Sequence, residues 1–207
     1  MHLLQAQNPS IATLKTQMKA LALLDAIVCQ EWEFRYFSFN AQWSEGEEMG
    51  SMRDGSGSHF FALFSDAGAA LVGLDHRSLT YEAGAPKAWV FDGLPAEFED
   101  NLKNEKAFLS SDATFCIWRL AADEKWSCGT PEGVDDGAAE LLAILEGKPE
   151  QYVDFAKEYF EVSIDIDDVN AVFEGAVLTP GLIGRLRLNC DEDLDEELFH
   201  EDIAEIG

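Results

Sequence analysis

The sequence predicts an α+β fold with an N-terminal helix, a central antiparallel sheet (a meander) and a helical C-terminal third. Three observations carry this expectation. Leu14, Met18, Leu21, Leu24 and Val28 recur at steps of three and four, which puts them on one face of a long helix. Between residues 34 and 74, short aromatic and β-branched runs alternate with glycine turns too short for a parallel crossover. Beyond Gly129-Thr130-Pro131 the spacing is helical again. Helices and strands are therefore segregated along the chain, the mark of α+β rather than α/β.

In order, Asn8-Pro9-Ser10 opens the first helix, expected to end near Gln30. Phe34–Phe39, Met49–Arg53, His59–Ser65 and Ala69–Leu74 read as strands. Asp54-Gly55-Ser56-Gly57-Ser58 and Asp66-Ala67-Gly68 are the turns between the last three. A loop from Ser78 to Lys87 precedes a strand-like run, Ala88–Phe91, and a helix from Pro95 to about Asn104. Thr114–Leu120 is a strong strand, and Lys125–Cys128 can pair with it. Helices are expected over Asp136–Glu146, Pro149–Phe160 and Asp167–Glu174, with another starting at Thr179-Pro180 as cap and first position.

The chain has 207 residues, 47% of them hydrophobic, with 14 Phe and 5 Trp. That is enough apolar material for a core and excludes a disordered acidic chain. The expectation is one domain over 1–207, with a helical subdomain from about 130 to 207 as its natural internal division. The five tryptophans are read as core residues before ligand-pocket residues.

The net charge of −26 is a gradient. Residues 1–44 are neutral, 45–128 hold 15 acids against 7 bases, and 129–207 hold 22 acids against 4 bases. Such a field repels phosphate backbones and anionic membranes, so no direct nucleic acid and no membrane is expected. A basic protein is the complementary partner. A solvated acidic face needs no partner at all, and charge for solubility alone is the competing explanation. Salt adaptation would spread the acids evenly, and the neutral first segment argues against it.

Cys29, Cys116, Cys128 and Cys190 show neither CxxC pairs nor zinc spacing, which fits a reduced, cytoplasmic protein. Lys15 and Lys19 ahead of the apolar run 20–29 imitate a signal peptide. Asp25 breaks that run, and the signal is rejected.

Two groups of residues are candidate sites. If the meander turns centre on Ser56 and Ala67, Arg53 lies opposite His59 and His59 opposite Asp75. The three then form a row, with Asp54 and His76 beside it. A histidine between an arginine and an aspartate can act as general acid or base, although a charged fringe at strand ends looks the same. The glycine-rich turn lacks a following helix and the Walker lysine, so it is read as a hairpin rather than a phosphate cradle. Asp191, Asp193, Asp195, Glu196 and Asp202 form the candidate acidic partner surface. Asp191–Asp202 also has partial calcium-loop spacing, but Glu196 stands where glycine makes the sharp turn. No metal and no cofactor is expected.

The block from Ser51 to Gly57, Gly73-Leu74-Asp75-His76, Thr114–Arg119 and Asp202–Gly207 resembles a family of uncharacterised bacterial cytoplasmic proteins. The resemblance implies a bacterial cytoplasmic origin; no activity or catalytic residue comes with it. The functional expectation is an acidic binding protein, in its concrete form an immunity-type protein engaging a basic nuclease toxin. The alternative is an enzyme or small-ligand binder using the Arg/His/Asp cluster.

Overall fold

In a computed structural model that describes residues 3–84, 88–190 and 194–207, a short helix α1 (Leu3–Gln7) precedes the long α2 (Ile11–Val28). Ser10 caps α2 as its sequence suggests, its Oγ accepting from the Thr13 amide at 3.0 Å. Strands β1 (Phe37–Ser44), β2 (Glu47–Arg53), β3 (His59–Ser65) and β4 (Gly68–Leu74) follow. Helices α3 (Leu79–Glu82) and α4 (Ala96–Glu99) lead to β5 (Phe115–Leu120) and β6 (Ser127–Cys128). Then come α5 (Ala138–Leu141), α6 (Pro149–Tyr159), α7 (Ile166–Phe173), α8 (Pro180–Leu186) and α9 (Glu196–Ile206). The six strands pair antiparallel in sequence order, a meander as expected.

Both faces of the sheet are covered, and strand alternation sorts the side chains between them. Phe60, Ala62 and Phe64 of β3, with Leu71 and Ile117, face α2 and the C-terminal helices. Phe61 and Leu63, with Val72 and Trp118, face Val90, Leu94, Phe98, Leu102 and Phe108 on the other side. The first cluster draws on residues from Leu4 to Ile206. Each fully buried large apolar side chain contributes roughly 1.5–3 kcal/mol.

The loop expected from Ser78 holds the short helix α3, and four further departures follow. Ala88–Phe91 is a single 3₁₀ turn that lays Val90 on the sheet, not a strand. The aromatic run splits into a 3₁₀ turn, Trp32–Phe34, and β1, which continues to Ser44. The helix expected over Asp136–Glu146 breaks at Leu142 into α5 and a 3₁₀ turn.

The fourth departure bears on the site. Arg53 pairs with His59 as expected, but His59 pairs with Leu74 rather than Asp75. The β3–β4 turn holds two residues, Asp66 and Ala67, because Ser65 pairs with Gly68. A one-residue change of register sends every side chain to the opposite face. Gly68 fixes this turn at φ +145°, and a Cβ there would lie 2.2 Å from the Arg119 carbonyl oxygen on β5. Among the described residues no helix is long and apolar enough to cross a membrane.

Candidate functional site

The five residues singled out on the sheet divide into two arrangements, joined through Ser58. Asp54 closes the β2–β3 turn, its Oδ1 accepting from the Ser56 and Ser58 amides at 2.8 and 2.9 Å. The Arg53 guanidinium lies 4.2 Å from the centre of the half-exposed Trp32 ring, and burial lowers its pKa. Burial likewise lowers the pKa of His59, against the opposing pull of a 3.2 Å contact between Nδ1 and the Gly57 carbonyl.

Asp75, one position beyond Leu74, aligns instead with Ser58. The Ser58 hydroxyl lies 3.2 Å from Asp75 Oδ1 and 2.7 Å from His76 Nδ1, and accepts from the His76 amide at 3.3 Å. Asp75 Oδ1 also accepts the Arg77 amide at 2.9 Å. A serine–histidine–aspartate set for acyl transfer needs the carboxylate on the far nitrogen of the imidazole and an accessible hydroxyl. Here the carboxylate touches the serine, and Ser58 is 1% exposed. The trio clasps the glycine turn to the end of β4. The expected Arg53/His59/Asp75 row is not formed. Ser58 escaped the sequence reading, and the two-residue turn length is the signal that finds it.

On the acidic surface, Asp191 and Asp193 lie outside the described residues. Asp195 is the N-cap of α9 and accepts from the Glu197 and Leu198 amides. Glu196 is exposed in the first turn, as are Glu197, Glu201 and Glu205 along the same helix. Asp202 is not part of this surface. Its carboxylate turns inward to Arg35 at 2.7 Å, with side chains only 15% and 4% exposed. Arg35 also donates to the carbonyls of Cys29 and Gln30, so it ties α9 to the end of α2. Calcium-loop geometry is lost at the same time, since Glu196 is already helical and Asp202 is bound to Arg35. Among the described residues no three or more metal-type side chains converge.

Three of the four cations of the C-terminal third are engaged within the fold, and the fourth, Lys157, is exposed. Arg185 pairs with Asp168 at 2.6 Å, Lys148 pairs with Glu146, and Arg187 donates to the Ile27 carbonyl. The α9 helix itself carries no Lys or Arg.

Beside that face lies a feature with no counterpart in the sequence reading, an open groove of about 910 Å³ between α8 and α9. Leu178, Ile183, Leu194, Phe199 and Ile203 make its lining mostly apolar, and Arg187, Glu196 and His200 line it too. Helical spacing puts Glu197 and Glu201 one position further round α9, on the solvent side. Gly184 of α8 also lines it, and a Cβ there would meet nothing within 4 Å.

A separate buried acid lies in the core. Asp25 is fully buried in α2, accepting from the Tyr36 and Phe37 amides and from the Tyr152 hydroxyl. Desolvation raises its pKa to about 7, with the hydrogen bonds opposing. The sequence signal was the one carboxylate in the apolar run 20–29.

No family model, no curated protein and no solved structure matches this chain. Function is therefore argued from the geometry above.

Proposed function

We propose that this chain is a binding protein whose anionic C-terminal face engages a basic protein partner. One observation carries the reading. Glu196, Glu197, Glu201 and Glu205 stand exposed on α9, which carries no Lys or Arg of its own. A one-sign surface of this kind steers an oppositely charged protein and accelerates its association. The concrete form is an immunity-type protein acting in the cytoplasm and holding a cationic nuclease toxin. Free thiols at Cys29, Cys116 and Cys128 fit a reducing compartment.

The test is affinity capture at low salt from the native host, with the wild-type chain and a Glu196→Gln/Glu197→Gln/Glu201→Gln variant as paired baits. The expected result is a basic protein recovered by the wild type and lost with the variant. Recovery of no basic protein, or equal recovery by both baits, contradicts the proposal.

A further inference from the structure

The groove between α8 and α9 has a form that suggests its occupant. Its walls are α8, α9 and the segments beside them, and no strand edge is offered, so contact must come through side chains. The lining is mostly apolar and includes Arg187, which donates to the Ile27 carbonyl, while α9 contributes Glu196, with Glu197 and Glu201 exposed beside it. At 1.5 Å per residue, the 11-residue α9 runs about 16 Å, the length of three turns of a docked helix.

Gly184 adds an independent observation. A glycine inside a helix costs roughly 0.5–1 kcal/mol relative to alanine. Here φ is not positive and a Cβ would find open space, so nothing within the fold requires glycine. A second helix packed there would use the space a Cβ takes.

We infer that the α8/α9 groove receives an amphipathic helix of a basic partner, with apolar residues at i, i+3, i+4 and i+7 facing Ile183, Phe199 and Ile203, and flanking lysines or arginines over Glu196, Glu197 and Glu201. This rests on the reading of the chain as a binder of basic proteins and names the element of the partner that is bound. The groove supplies specificity and slow release, and the carboxylates supply the encounter.

Fluorescence anisotropy on the full chain tests it with three dye-labelled peptides: a Lys/Leu helix at that spacing, its scramble of identical composition, and a Glu/Leu counterpart. The Gly184→Leu variant puts a side chain at the groove from a position where a Cβ meets nothing within 4 Å, and its thermal midpoint should match or exceed that of the wild type. The expected result is that the Lys/Leu helix binds, that scramble and acidic peptide bind roughly tenfold or more weakly, and that Gly184→Leu loses a similar factor. Equal binding of helix and scramble, or tight binding that Gly184→Leu leaves unchanged, overturns the groove while leaving a basic partner elsewhere on the acidic face. No binding of either cationic peptide at low salt overturns the groove and also weighs against the acidic-face reading.

Discussion

Asp25 and Tyr152 stand 127 positions apart, and their side chains meet in a 2.8 Å hydrogen bond at the centre of the core. The bond joins α2 to α6, while the second carboxylate oxygen holds the Tyr36 and Phe37 amides at the start of β1. One acid thus locks the N-terminal helix, the sheet and the C-terminal helices together. It does so with its pKa raised to about 7 by desolvation.

Asp25 should make stability depend on pH. The folded chain keeps its proton up to about pH 7, whereas the unfolded chain releases it near 3.8. Between these values the native state binds more protons, so stability falls as pH rises and levels off above 7. Asn can accept both amides and donate to Tyr152 but does not titrate. Urea denaturation from pH 4.5 to 8.5 should show Asp25→Asn gaining on the wild type by roughly 3–4 kcal/mol across the window. Parallel profiles would contradict the assignment.

Removing the Tyr152 hydroxyl should raise the Asp25 pKa further, since that bond favours the carboxylate. Tyr152→Phe is expected to lose about 1–3 kcal/mol. The loss should be larger at pH 8 than at pH 5, read by the same denaturation. A pH-independent loss would mean the hydroxyl acts only through packing.

The Arg35–Asp202 pair should behave as a buried ion pair. Arg35→Ala leaves a mostly buried carboxylate without its counter-charge and should cost about 3–5 kcal/mol. The apolar pair Arg35→Met/Asp202→Leu should recover most of that loss. Additive losses in thermal unfolding would show that the two groups do not depend on each other.

Two glycines should respond in opposite directions to alanine. Gly68→Ala drives a Cβ into the backbone of β5 at positive φ, and a loss above about 2 kcal/mol is expected. Gly184→Ala meets nothing and should gain roughly 0.5–1 kcal/mol. Urea midpoints of both variants decide it.

What the sequence revealed followed from local rules. The Ser10 cap, the Thr179 cap and the Arg53–His59 pairing each depend on residues within a few positions. The Asp75 alignment failed because a two-residue and a three-residue turn are both compatible with Asp66-Ala67-Gly68. The approach of β5, 50 residues further along, favours the shorter turn. The 3₁₀ turns covering the second sheet face have no period to detect. Of the acidic surface, Asp195 and Glu196 were legible as exposed charge. The inward turn of Asp202 was not, because Arg35 lies 167 positions away. The groove was equally hidden, since its two walls come from helices whose apolar spacing reads as ordinary core.

The association rate of the captured basic partner with the full chain, followed against salt concentration, tests the central claim most directly. The expected result is a rate that falls steeply with salt and is about tenfold lower at low salt for Glu196→Gln/Glu197→Gln/Glu201→Gln. A rate that ignores salt and is the same for both chains would contradict an anionic α9 face as the binding surface.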